Sequence, residues 1–363
     1  MPSTSRRSSP QRRVPSERQE STSTPHLLMM WSRITRVPHP WSKRAGWESR
    51  ICAKLTVIGY PPKGMRSTAA GVVRGVSNER TPMTILVTGS TGHLGRLIVA
   101  ALLARGVDPQ TIRAGARDLA KGADLGVPVV RLDYTDPASV AAALDGVDTV
   151  VLVSGSEVGQ RVAQHQAVIE AAKDAGVSKF VYTSAPKATT SSLVLAPEHK
   201  ATEELIAAAG LPAVILRNNW YTENYAADLA RAAETGTLSA GTGEGRVASA
   251  SRKDYAEAAA AVATEDGHLG AVYELGGDVA WTYADLAAAM TEVTGREVVF
   301  VPLSADEQLA ALRAAGLDEG TAGFVVALDA GIRDGALADT DGTLRRLIGR
   351  PTTPLVEGLR ALV

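Results

Sequence analysis

From residue 83 onward, short apolar runs alternate with longer stretches in which apolar positions recur at helical spacing. A run of four to six apolar residues bounded by turn formers reads as a buried strand, and the longer periodic stretches read as amphipathic helices. The pattern predicts strands over 84–88, 112–116, 129–132, 149–153, 180–183 and 213–216, with helices over 94–104, 137–144, 160–175 and 197–209 between them. Two helix boundaries carry their own signals: Asp136 can cap a helix whose first residue is Pro137, and Gly176 stands where the third helix should stop. Strands alternating with helices imply an α/β chain with a doubly wound parallel sheet. Beyond residue 225 the pattern thins to helical runs at 255–263, 283–294 and 305–315 and short strands at 271–275 and 298–301, which predicts a smaller α/β lobe. The expected division is therefore 83–222 for the sheet domain and 223–363 for a substrate lobe.

Residues 1–82 break this pattern. They hold 15 Lys and Arg against four acids, half of the prolines, three of the five tryptophans and the single cysteine, Cys52. The opening MPSTSRRSSPQRRVPSERQESTSTP has too few periodic apolar residues to offset the entropy of ordering, so a disordered basic extension is expected. The favoured explanation is an upstream extension before a natural start at Met83, which directly precedes the first strand. An Arg-rich targeting peptide, weakened by Glu17 and Glu20, and a basic nucleic-acid arm are the alternatives. Over the whole chain the charge is balanced at −1, which favours neither a nucleic-acid nor a membrane partner, and no stretch approaches the length of a spanning helix. One cysteine excludes a disulfide framework and a Cys-rich metal site, six scattered histidines form no metal constellation, and a reducing, cytoplasmic setting is expected.

The most informative segment is TILVTGSTGHLGRLIVAALL, in which Gly89, Gly92 and Gly95 fall between the first strand and the first helix. The first glycine allows a tight turn, the second lets backbone approach a pyrophosphate, and the third lets helix pack closely on strand. Phosphates would then meet free amides at the positive end of a helix dipole. Ser90 and Thr91 are expected to add hydroxyl donors, with His93 and Leu94 as phosphate neighbours. This places a dinucleotide on a Rossmann frame. Arg117, at the end of the second strand, offers a planar fork of donors where an acid would hold a ribose diol. NADPH is therefore expected over NADH, with NADH still usable because Asp118 could reach a ribose; Asp133 is the natural neighbour of the adenine edge.

Short-chain dehydrogenases ordinarily place a Tyr four residues before a Lys, the Lys lowering the phenol pKa. Here Ala196 stands four residues before Lys200, and Tyr182 and Lys187 are five apart at a strand end. Alcohol dehydrogenation by a Tyr acid is not expected. Lys200 with Glu204 reads as a surface pair, and His165 as a structural residue.

Several longer segments resemble the NmrA-like, atypical branch of the short-chain dehydrogenase/reductases, most nearly its type 2 NAD(P)H:quinone oxidoreductases. They are GSTGHLG, SGSEVGQR from Ser154, YTSAPKA from Tyr182, LRNNWYTENY from Leu216, GEGRVASASRKDYAEAA from Gly243 and VYELGGDVAWTYADLA from Val272. Azo-dye and triphenylmethane-dye reductases share much of the pattern, so the resemblance narrows the chemistry more than the acceptor. It implies that the cofactor is lined by the glycine loop, by Arg117, by Ser154, Gly155 and Ser156, and by the run from Arg217 through Asn219 to Thr222. It further implies a flavin-independent, metal-free reductase passing hydride to a quinone-like acceptor. Asn218, Asn219 and Tyr221 are candidate donors to the developing oxyanion, and Trp220 is a candidate stacking wall, its alternative being a packing contact on the smaller lobe. A redox sensor that binds NAD(P) without catalysis is the rival reading, because loss of the Tyr and Lys pair fits both. Whether the chain pairs as a homodimer is left open by the sequence.

Overall fold

A computed structural model describes residues 83–157 and 159–363; the basic extension, with its three readings, lies outside the described residues. The first half runs β1 (Ile85–Val87), α1 (His93–Ala104), β2 (Ile112–Ala116), β3 (Val129–Arg131), α2 (Pro137–Leu144), β4 (Thr149–Leu152), α3 (Arg161–Asp174), β5 (Lys179–Ser184), α4 (Ala196–Ala209) and β6 (Ala213–Asn218). Every strand and helix expected in this half is present, with ends shifted by at most two residues. Asp136 caps α2 by accepting from the Ser139 amide, and Gly176 adopts a left-handed φ of 69° past the end of α3.

The second half contributes α5 (Ala226–Thr235), β7 (Thr237–Ala240), β8 (Arg246–Val247), α6 (Arg252–Thr264), β9 (Val272–Leu275), β10 (Trp281–Thr282), α7 (Tyr283–Thr294), β11 (Val299–Pro302), α8 (Ala305–Ala314), α9 (Glu319–Arg333), α10 (Thr343–Ile348) and α11 (Leu355–Arg360). The main sheet has seven parallel strands in the order β3-β2-β1-β4-β5-β6-β9. Strands β4 and β5 are buried along their whole length, as strands covered on both faces must be. The chain steps outward from β1 to β3 and then returns to β4 on the other side of β1, so the carboxyl ends of β1 and β4 flank the crevice where ligands bind in such sheets.

The return of the chain to this sheet corrects one expectation. The strand placed in the smaller lobe, β9, pairs in parallel with β6, with Asn218 opposite Leu275. Helix α6 likewise packs on α1, burying Tyr255, Ala256, Ala258, Ala259, Ala260, Val262 and Ala263 in the same apolar cluster as β1 and α1. Lys179 at the start of β5 caps α6 by donating to the carbonyls of Val262 and Glu265 at 3.2 and 2.6 Å. The residual lobe is built on two small sheets, β8 with β10 and β7 with β11, around a cluster that includes Tyr225, Trp281, Tyr283 and Phe300.

Candidate functional site

The glycine loop links β1 to α1 at the switch point. Gly89 has φ 56°, and the Gly92 amide donates to its carbonyl at 2.9 Å, closing the turn. A Cβ at Gly95 would stand 2.8 Å from the Ser90 Cα, so only glycine lets α1 lie this close to the loop. Gly92 caps α1 without a side-chain acceptor, which leaves the first-turn amides of the helix for a ligand. Thr91 stands half-buried on the crown of the loop. Leu94 is buried behind it. Ser90 departs from the expectation: its hydroxyl and its amide both donate to Gly115 O, at 2.9 and 3.2 Å, so it stitches the loop to β2 and has no donor left for phosphate.

Arg117 follows β2 directly, with its guanidinium exposed and 3.4 Å from the Glu157 carboxylate. Asp118 is occupied as a cap on the Ala120 amide, and Asp133 accepts from the amide and hydroxyl of Thr135, which hold its carboxyl below the usual range. Arg117 is thus an exposed cation at the end of β2.

The loop after β4 is held by a row of side chains. Thr88 Oγ1 accepts from the Val153 amide at 3.0 Å, Thr183 Oγ1 from Ser154 at 2.9 Å, and His165 Nε2 from Gly155 at 3.0 Å. Arg161 Nε donates to Gly155 O at 2.8 Å and pairs through its NH1 with Glu198 at 2.6 Å. Ser156 at the tip is exposed. The amides of Ser154 and Gly155 are therefore turned toward the protein, and what they leave for a ligand is the outer surface of the loop.

The end of β6 divides into two kinds of residue. Asn218 donates through Nδ2 to the Tyr221 hydroxyl at 3.3 Å, while its Oδ1 is buried without a hydrogen-bond partner among the described residues. Burial raises the Tyr221 pKa, with Asn218 and Arg252 acting against it, so the phenol is protonated at neutral pH and keeps a proton to donate. Arg252 lies over the Tyr221 ring at 4.9 Å, held by Asn224 at 2.7 Å and by the Glu223 carboxylate on its own amide at 2.9 Å. Desolvation, then the same Arg252, lower the pKa of His93 in the glycine loop, with Glu223 opposing.

The other residues of this run are committed elsewhere, contrary to expectation. Arg217 is clamped by Glu203 at 2.6 and 3.0 Å and by Glu274 at 2.9 Å, and these carboxylates raise its pKa. Asn219 accepts from the Trp220 amide and donates to Leu337 O, tying β6 to the smaller lobe. Thr222 is buried on Ser249 at 2.9 Å and against the Cα of Gly358. These three are frame residues, since a ligand would have to displace buried partners to reach them. Trp220 remains half-buried and packs against the lobe's aromatic cluster, as its alternative reading held.

The two lysine pairings behave as the sequence implied. Tyr182 is wholly buried with its hydroxyl 2.8 Å from His199 Nδ1, whereas Lys187 extends its ammonium to Asp339 at 2.7 Å. Lys200 and Glu204 form an exposed pair at 3.9 Å. Among the described residues no group of His, Cys, Asp and Glu could hold a metal, and no helix is long and apolar enough to cross a membrane. Arg252, Glu223, Arg161 and Glu198, and the bond of His165 to Gly155, were missed by sequence reasoning, since nothing in their local pattern sets them apart from surface or core residues.

Comparison with known proteins finds relatives along most of the chain. A model of the NmrA-like family fits residues 81–321. The chain is 45% identical over 281 residues to quinone oxidoreductase 2 of Escherichia coli strain K12, covering 77% of this chain and 98% of that protein. It is 30% identical over 281 residues to the NAD(P)H azoreductase of Xenophilus azovorans, covering 76% and 97%. The crystal structure of the Escherichia coli NADPH-dependent quinone oxidoreductase complexed with NADPH covers 77% of this chain and 99% of its own at a TM-score of 0.74 and 45% identity. That of the Citrobacter sp. triphenylmethane reductase complexed with NADP(H) covers 77% and 100% at a TM-score of 0.73 and 36% identity.

Proposed function

The chain belongs to the NmrA-like family, and we propose that it is an NADPH-dependent, flavin-independent reductase of quinone-like acceptors. The observation that carries this reading is the Asn218 and Tyr221 pair: a protonated buried phenol beside an amide oxygen without a partner among the described residues, at the end of β6 and under the Arg252 guanidinium. A buried orphan acceptor costs roughly 1–3 kcal/mol unless a ligand supplies a donor. The carboxamide of a nicotinamide, or a hydroxyl of the acceptor, has the right chemistry to do so. The residues thus fit the cofactor at both ends. The α1 amides would receive the pyrophosphate, Arg117 the 2′-phosphate, the outer surface of 154–156 the nicotinamide side, and Asn218 the carboxamide.

Bound NADPH supplies the hydride. The protein's part is to hold the acceptor against it, exclude water and meet negative charge on the acceptor oxygen. Tyr221 does the last, donating its phenolic hydrogen while Asn218 Nδ2 donates to the phenol oxygen and orients it. Arg252 over the ring favours this donation electrostatically. A reduced quinone oxygen is delocalised and needs no strong acid, which suits a fold in which Tyr182 is buried on His199 and Lys187 pairs with Asp339.

Steady-state oxidation of NADPH with a benzoquinone tests the reading. Turnover should be present, and Tyr221→Phe should lower kcat about tenfold, less than the usual cost of an oxyanion donor because of that delocalisation, with the NADPH dissociation constant unchanged. NADPH binding without turnover would replace this reading by the sensor.

A further inference from the structure

The segment joining β4 to α3 has no regular structure, yet each of its first three amides ends on a side chain from a neighbouring element. Thr88 and Thr183 sit on the ends of the adjacent strands, where hydroxyls at this position are geometrically inexpensive. The third acceptor is different in kind. His165 opens the second turn of α3, is wholly buried, and has the only ring nitrogen that meets a backbone amide among the described residues.

Its tautomer is assigned by the bonds around it. Gly155 N–H can only donate, so Nε2 must carry the lone pair and the ring hydrogen must be on Nδ1. Nδ1 lies 3.1 Å from Thr202 Oγ1, whose own hydrogen is donated to Glu198 O at 2.9 Å. The chain of donation therefore runs in one direction, from Gly155 to His165 to Thr202 to the α4 backbone. A second proton on the ring would set two N–H groups against each other at Gly155. Arg161, on the same helix, holds the other polar atom of Gly155 and pairs with Glu198, whose second oxygen accepts from the Gly159 amide at 2.7 Å. Tyr134 and Tyr182 close the ring edge-on, at centroid distances of 6.5 and 5.5 Å.

The geometry points to His165 as a positioning residue for the cofactor: as a neutral imidazole, it fixes the 154–156 loop in the shape that the nicotinamide half of NADPH meets. This rests on the reading that the loop faces the cofactor. His165 touches no ligand; it acts through Gly155.

The test exploits the two nitrogens separately. Asparagine reproduces the Nδ1 contact with Thr202 and is too short for Gly155, whereas glutamine places its amide oxygen near the Nε2 position. In the full chain, His165→Asn should raise the NADPH dissociation constant, measured by calorimetry, about tenfold, the value of one lost hydrogen bond. Amide exchange at Gly155 in the ligand-free chain should quicken in parallel. His165→Gln should return both to within about twofold, although burial of a different side chain lowers Tm in either variant. Thr202→Val, nearly isosteric, frees the ring to adopt the other tautomer and should give a smaller loss in the same direction; it decides the matter should His165→Asn not fold. Ser156→Glu, which puts a carboxylate at the exposed loop tip, separates the two layers of the argument. If Ser156→Glu weakens NADPH while His165→Asn leaves Gly155 exchange and affinity unchanged, the positioning role is overturned and the loop assignment stands. Equal losses in Asn and Gln variants would reduce His165 to a packing residue. If Ser156→Glu is silent, and quickened exchange in His165→Asn leaves affinity untouched, the loop assignment itself falls and the positioning role with it.

Discussion

The glycine loop and the end of β6 are both strand-end segments rich in polar groups, and both were expected to line the cofactor. They meet that expectation very differently. At the glycine loop the polar capacity is backbone, and it stays available because Gly92 brings no side chain to cap α1. At the end of β6 it is side chain, and Arg217, Asn219 and Thr222 are consumed by Glu203, Leu337 and Ser249. Only Asn218 and Tyr221 keep unspent hydrogen-bonding capacity toward a ligand. A polar residue at a ligand-binding edge is thus as readily part of the frame as part of the site, and free valence rather than position separates the two.

The sharpest way to break this comparison is Arg217→Ala. It leaves Glu203 and Glu274 without their cation, a loss that typically costs about 3–5 kcal/mol when partners are buried. We expect a large drop in Tm with the NADPH dissociation constant of the folded fraction unchanged; weaker binding at unchanged Tm would make Arg217 a ligand residue. Gly95→Ala should lower both, since a Cβ there forces α1 off the loop: overpacking costs about 1–3 kcal/mol of stability, and NADPH binding by the folded fraction should weaken with it. Calorimetric titration beside thermal melts separates the two outcomes.

A third experiment probes the locked region by pH. Burial first, then Arg161, lower the pKa of His165 and His199 to about 3 each, against an ordinary value of 6.5. The unfolded chain takes up these protons below pH 6.5 while the folded chain does not. Stability is therefore full above that value and declines as pH falls toward 3, by about 1.4 kcal/mol per pH unit for each imidazole. Melts of the parent chain and His165→Asn between pH 7 and 4.5 should show a shallower decline in the variant; parallel curves would mean that His165 is protonated in the fold. The smallest effect is expected at Arg117, which is exposed and already beside Glu157. Arg117→Ala should weaken NADPH about tenfold and NADH hardly at all, since only the former carries the extra phosphate. Equal losses for the two cofactors would place Arg117 away from the ribose.

Much of the frame was legible because its signals are local. The alternation of apolar runs, the Asp136 and Pro137 start, the Gly176 stop and the three glycines each depend on residues within one turn or one strand. The absence of a working Tyr and Lys pair was legible for the same reason, since it is a matter of spacing. The contribution of β9 and α6 to the nucleotide-binding half was not. An Ala-rich helix that is apolar nearly all round shows that it is buried and leaves open against what, and a parallel pairing between β6 and β9 closes over some 50 residues without a local cue.

What the sequence by itself determined was the backbone chemistry: where strands begin, where helices stop, and where a phosphate can approach bare amides. The division of polar side chains between frame and site was decided only by the tertiary structure. Glu274, Ser249 and Leu337 reach the β6 end from distant parts of the chain, Glu203 reaches it from the preceding helix, and Thr202 reaches His165 from another helix. A side chain's function there is set by which of its valences remain after folding, and that remainder depends on partners that only the packed chain brings within hydrogen-bond distance.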